Sequence, residues 1–419
     1  MQPTETNWAR NLSYRARRIL RPEGPDGLAA ALAGGGEVRV AGSRHSFNTI
    51  TDTTGTLISA DRLPAHVEVA ADRRSVSLGG GVRYGDLAVE LGRHGLALAN
   101  LASLPHISVA GAIATGTHGS GDRLGSLATS VRALTFLTPD GTERTYRRGD
   151  DDFAGAVVHL GALGVVVRVE LDVEPAYQVA QTVFGRLDWD TVVEHFDAIT
   201  GCGTSVSLFT SWGEPGGVDQ IWVKHRADAA AGEAAAVLGG LGALPAAGPR
   251  HPLPGGDTRA STEQLGVPGL WSDRLPHFRL AFTPSSGDEL QSEYFLPRQE
   301  ARAAIRRVQA LGPRLAPLVQ ASELRTVRAD DLWLSPAYRQ DVVAFHFTWT
   351  PDQPAVEAVL PELEAAFGEG VRAHWGKLWR LDPADVTGAY DRWDDFVALQ
   401  RRHDPQGRFV NDFLRRLGL

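Results

Sequence analysis

Over about the first 170 positions, short apolar runs alternate with glycines and helical patches, the pattern of strands that end in tight turns. Val38-Arg39-Val40, Thr56 to Ser59 and Val76 to Leu78 read as strands, the third running into Gly79-Gly80-Gly81. Tyr84, Leu87, Ala88 and Leu91 then recur at helical spacing until Gly92 and Gly95 stop the pattern. Arg132 to Leu137 and Val165 to Leu171 read as further strands, with Pro139-Asp140-Gly141 as a turn between hairpin arms.

Beyond that region the pattern changes. Ser205 to Ser211, Gln220 to Lys224, Glu289 to Phe295, Val319 to Val327 and Val342 to Trp349 read as strands. Ala301, Ala304, Ile305, Val308 and Leu311 mark an amphipathic helix, and a second helix is expected near Ala355 to Phe367. The Ala-, Gly- and Pro-rich stretch from Ala229 to Pro254 predicts a helix and a mobile surface connection. Strands in series with helices between them suggest an antiparallel sheet covered by helices. The whole is α+β, and 419 residues are too many for one ordinary core, so two domains are expected.

Composition narrows the function. With 43% hydrophobic and 22% charged residues the chain is globular rather than disordered. A net charge of −8 argues against a nucleic-acid binder. The single cysteine, Cys202, excludes an internal disulfide framework and any multi-cysteine metal site, so no metal is expected and a reducing, cytoplasmic setting fits. The N-terminus has no apolar signal segment, and nowhere do about 18 apolar residues run unbroken, so no membrane span is predicted. Of 42 basic residues only two are lysine, Lys224 and Lys377. Arginine serves wherever a generic positive charge will do, and a retained lysine points to a need for a compact or deprotonatable amine. Lys377 is read that way; Lys224 lies on an alternating strand and is expected to be exposed.

Two segments carry cofactor chemistry. In Val40-Ala41-Gly42-Ser43-Arg44-His45-Ser46-Phe47-Asn48 a buried strand runs into a tight turn whose amides form an anion-binding nest suited to a pyrophosphate. It is neither a dinucleotide fingerprint nor a Walker loop. The second segment runs from Ala102 to Gly121, and from Gly111 onward it is built almost entirely of small residues. So bare a backbone permits close approach of a large flat ligand.

The pair GSRHSFN and SLPHISVAGAIATGTHGSG resembles the FAD-binding half of the vanillyl-alcohol-oxidase class of flavoproteins. Glu323-Leu324-Arg325, His346-Phe347-Thr348-Trp349 and His374-Trp375-Gly376-Lys377 resemble the alditol (xylitol or sorbitol) oxidases. Asp404-Pro405-Gln406-Gly407-Arg408-Phe409-Val410-Asn411 is similar to that family's C-terminal return to the flavin domain. The resemblance implies an FAD-binding domain over residues 1–175, closed by the segment from about 370 to 419, and a substrate-binding cap over residues 176–369. It implies a single covalent bond from His45 to the flavin, since His106 stands where a second, cysteine tether would align. It also gives FAD contacts at Val40, Ala41, Gly42, Ser43, Arg44, His45, Ser46, Ser103, Ser108, Gly111, Thr115, Gly116, Thr117, His118 and Val167.

The substrate side is legible from strand periodicity as well. Val343, Phe345, Phe347 and Trp349 form one apolar face, which sends His346 and Thr348 out together on the other. Glu323 and Arg325 likewise share a side. Such pairs offer adjacent donors and acceptors to a polyhydroxylated chain. By the resemblance, Lys377 and His346 are the candidate catalytic groups at the reacting oxygen, and the sequence ranks neither above the other. Ser103, Glu323, Arg325, Thr348 and Lys377 would bind substrate. The implied reaction oxidises a terminal hydroxyl of an alditol to the aldose, with O₂ reduced to hydrogen peroxide. Two alternatives are an aldonolactone (gulono- or galactonolactone) oxidase or dehydrogenase, and a flavin- or sugar-binding module without turnover.

Overall fold

The computed structural model describes residues 5–227, 232–282 and 287–419. Three parallel strands, in the order Arg18–Leu20, Thr56–Ser59, Val38–Ala41, form a small sheet. Beside it an antiparallel sheet runs Val67–Val69, Ser75–Gly79, Val165–Asp172, Val131–Leu137, Glu143–Arg147. The Pro139-Asp140-Gly141 turn does close a hairpin, but its second arm is Glu143–Arg147 rather than Val165–Asp172. Glu143–Arg147 is mostly exposed and charged, so it carries no apolar alternation to betray it.

The helix predicted from Tyr84 spans Tyr84–Arg93 and buries Leu87, Ala88 and Leu91. Its core is shared with the end of the chain: Val386, Trp393, Phe396, Phe413 and Leu414 pack in the same cluster. Polar bonds fasten the chain end to the turn that carries His45. Arg39 gives hydrogen bonds to the carbonyls of Phe409 (2.6 Å), Ile50 (2.6 Å) and Leu160 (2.8 Å), and Asn411 Nδ2 to those of Thr49 and Asp52.

The second layer is an eight-stranded antiparallel sheet. Its order is Gly269–Leu270, Gln178–Phe184, Gln220–Arg226, Ser205–Thr210, Val319–Val327, Val342–Trp349, Leu290–Pro297, Arg372–Ala373. Val343, Phe345, Phe347 and Trp349 are fully buried on one face, under the helices Ala301–Ala310 and Gln353–Phe367. The other face is buried too, with His118 against Glu293, so the polar pairs on it are not a solvated surface. The helix expected after Ala229 is Glu233–Gly240; positions 229–231 lie outside the described residues. No helix among the described residues is long and apolar enough to cross a membrane.

Candidate active site

A cavity of about 1640 Å³, mouth included, lies between the two layers.

One wall is the pair of glycine-bearing segments. Ser108 N donates to Ser43 Oγ (3.0 Å) and Ser43 N to Ser108 Oγ (3.3 Å), which locks the two segments side by side. A Cβ on Gly42 would sit 2.2 Å from Ser108 Oγ, and one on Gly111 would sit 2.7 Å from it. Both positions therefore stay bare. Arg44 adopts a left-handed φ of 60°, a cost of roughly 1–2 kcal/mol for a residue with a Cβ. Trp8 N (2.8 Å) holds its carbonyl and Glu5 (2.5 Å) its guanidinium. This bare, hydroxyl-lined cradle fits the flat ring and phosphates of FAD.

His45 lies on that wall with its ring stacked on Trp8 at 5.0 Å. Its Nδ1 donates to the Ser43 carbonyl at 2.9 Å. Burial pushes its pKa down to about 4, so the imidazole is neutral and keeps one ring lone pair free. Of the residues predicted to touch FAD, Val40, Gly42 to Ser46, Ser103, Ser108, Gly111, Thr115, Thr117 and His118 line the cavity. Ala41, Gly116 and Val167 do not. Ala41 points into a small apolar cluster with Tyr14 and Leu57, and Gly116 packs against Pro336.

The opposite wall is the polar face of the large sheet, and strand register builds it. Glu293, His346 and Glu323 are consecutive partners across three strands, and Gln291, Thr348 and Ala321 form the next row. Residues in one row and on one face lie close enough to touch. Lys377 enters from the segment after Arg372–Ala373, whose backbone is pinned from both walls. Asn48 Nδ2 donates to the carbonyls of Trp375 and Lys377 (both 2.8 Å), and Leu378 N donates to the Gln291 carbonyl (2.9 Å).

The side chains form one buried network. Lys377 Nζ lies 2.8 Å from Glu293 Oε2 and 2.8 Å from His346 Nδ1. His346 Nε2 lies 3.2 Å from Thr348 Oγ1. Glu293 Oε1 meets Arg325 at 2.5 Å and His118 Nε2 at 3.2 Å. Glu323 lies 3.6 Å from Arg325 Nε and 2.9 Å from His277 Nε2. Burial alone would raise the Glu293 carboxyl, but Lys377 and Arg325 hold it well below the usual range; Arg325 and His277 do the same for Glu323. Burial, then Lys377, push His346 well below its ordinary value. Burial also lowers Lys377, against the pull of Glu293.

The predicted catalytic groups Lys377 and His346 and the predicted substrate groups Ser103, Glu323, Arg325 and Thr348 all line this cavity. Lys224, expected on the surface, is 1% exposed, with its amine among the carbonyls of Leu275 and Pro276 and the ring of His277. Alternation tells which side of a strand a residue faces, not what covers that side. Sequence reasoning also missed Glu293 and His277. Glu293 was within reach, because Glu289, Gln291 and Glu293 alternate on one side of a predicted strand. His277 stands in an aperiodic stretch that offers no such signal.

A glycine-bare cradle facing a buried face of polar and charged side chains fits an FAD-dependent oxidoreductase. Two cholesterol oxidase structures, one of them from B. sterolicum, share the fold, with TM-scores of 0.77 at 15% identity, covering at least 99% of this chain and 97% of theirs. The "FAD binding domain" family matches residues 19–147, and the "D-arabinono-1,4-lactone oxidase" family matches residues 288–417. An alditol oxidase from a Streptomyces species is 46% identical over 100% of this chain and 99% of its own length. The L-gulono-1,4-lactone dehydrogenase of Mycobacterium tuberculosis is 28% identical over 100% of this chain and 99% of its own. The chain belongs to the alditol oxidase family of FAD-dependent oxidases.

Proposed function

We propose that the chain oxidises the terminal hydroxyl of a five- or six-carbon alditol, such as xylitol or sorbitol, to the aldose. FAD is held covalently on His45, and O₂ takes up the two electrons and two protons as hydrogen peroxide. The carrying observation is the convergence of Lys377, His346, Glu323, Arg325 and Thr348 on one cavity wall opposite the cradle.

Bound FAD supplies the hydride acceptor. The residues of the chain manage the proton and the pose. His346, held neutral, accepts the hydroxyl proton at Nδ1 as Lys377 Nζ turns from that nitrogen to the reacting oxygen. Lys377, kept beside Glu293, stabilises the charge that develops on the reacting oxygen. Glu323, Arg325, Thr348 and Ser103 offer acceptors and donors to the remaining hydroxyls.

The match of residues 288–417 to the lactone oxidase family keeps a second reading in view, oxidation of an aldonolactone. Anaerobic addition of xylitol, or of gulono- or galactonolactone, to the purified protein separates the two. Xylitol should bleach the flavin absorbance. Bleaching by the lactone alone would replace this reading with the other. The tether is tested by acid precipitation, which should give a yellow pellet and a clear supernatant, with the colour lost in His45→Ala.

A further inference from the structure

One end of the buried network extends beyond the residues assigned so far. Lys224 Nζ donates to the Leu275 carbonyl and to the Pro276 carbonyl (3.2 Å), and lies 3.1 Å from His277 Nδ1. Burial lowers the Lys224 amine to about 7, so below that pH it is an ammonium whose third N–H points to His277 Nδ1. His277 Nδ1 is then an acceptor, which places the ring proton on Nε2. That nitrogen faces Glu323 Oε1 at 2.9 Å, so the carboxylate is the acceptor of the pair and stays ionised.

The ring has little freedom to do otherwise. Phe209 and Trp222 pack edge-on against it at 5.5 and 5.4 Å. His277 N donates to the Ser103 carbonyl (3.1 Å), and Thr262 N donates to the His277 carbonyl (2.9 Å). The backbone is thereby tied both to the cradle and to the cap. Lys224 sits behind His277 and lines no part of the cavity, whereas His277 does.

We propose that His277 and Lys224 are positioning residues that fix Glu323 as an oriented hydrogen-bond acceptor for hydroxyls beyond the reacting carbon. The pair thereby sets how strongly the site prefers long polyols to short ones. This rests on the reading of the cavity as an alditol site. Both lysines of the chain then serve one network: Lys377 at the reacting end, Lys224 at the recognition end.

The test compares kcat/KM for xylitol and glycerol in wild type, His277→Leu, His277→Gln and Lys224→Met holoenzymes at pH 6. His277→Leu should lower the xylitol-to-glycerol ratio at least tenfold, mostly through KM. His277→Gln keeps an N–H where Nε2 stood and should return the ratio to within about threefold of wild type. Lys224→Met frees the ring to change tautomer and should fall between. An unchanged ratio in His277→Leu, or a Gln variant as poor as Leu, overturns the proposal. A second measurement needs no substrate: ¹⁵N NMR of histidine-labelled wild type, with His277 assigned from the Gln variant, should show the Nε2–H tautomer. An Nδ1–H tautomer overturns the relay. Should no alditol reduce the wild-type flavin, the functional reading fails, while the tautomer still decides the relay.

Discussion

Glu293 Oε2 accepts a hydrogen bond from Lys377 Nζ at 2.8 Å, and the carboxylate of this pair is 1% exposed. A buried ion pair is costly to break, because the charge left behind has no partner, at about 3–5 kcal/mol. Glu293→Gln should therefore lower stability by that order. It should also cut turnover at least 100-fold, because it unsettles Lys377, Arg325 and His118 at once. Chemical denaturation and anaerobic flavin reduction check the two halves separately. Full activity in a stable Glu293→Gln protein would remove Glu293 from the site.

Lys377→Met should keep flavin incorporation and lose most turnover, by about 100- to 1,000-fold if the amine stabilises charge in the transition state. Lys377→Arg keeps a charge but cannot place a compact ammonium 2.8 Å from both Glu293 and His346. It should fail as well. Near-normal rates in Lys377→Arg would show that charge alone suffices.

Arg325→Ala should erase the preference for polyols. Two hydroxyl contacts at about 2 kcal/mol each correspond to roughly a thousandfold in kcat/KM. The variant should damage oxidation of xylitol far more than that of 1-propanol. If the ratio of the two substrates does not move, Arg325 reads no hydroxyls.

Cys202 packs in the apolar cluster between the eight-stranded sheet and its helices, and burial pushes its thiol up to about 12. At pH 8 about one such thiol in ten thousand is ionised. Iodoacetamide should leave the native protein unlabelled and label it fully in denaturant. Cys202→Ser should keep its colour in the acid pellet, since the cysteine takes no part in holding flavin. Fast native labelling would show a cap looser than this packing.

Much of the fold was legible because burial on one face of a strand or helix writes a period into the chain. Val343 to Trp349 and Ala301 to Val308 declared themselves in that way, and so did the shared side of His346 and Thr348. The hairpin arm Glu143–Arg147 was not legible, being mostly exposed and without an apolar alternation. Lys224 was misjudged for the complementary reason: its strand alternates, but its polar side is covered by Leu275 to His277, some 50 positions away.

The sequence by itself determined the cradle segments, the apolar and polar faces of the cap strands, and the candidate set His45, Glu323, Arg325, His346, Thr348 and Lys377. Those are local properties, carried by glycines, strand period and residue type, and for His45 and Lys377 by the motifs that resemble the vanillyl-alcohol-oxidase class and the alditol oxidases. Only the tertiary structure decided which polar groups meet. Cross-strand register places Glu293 and Glu323 on either side of His346, and the bonds from Asn48 bring Lys377 beside them. Packing of the aperiodic segment adds His277 and Lys224. Register and packing depend on contacts between residues far apart in the chain, and no local pattern encodes them.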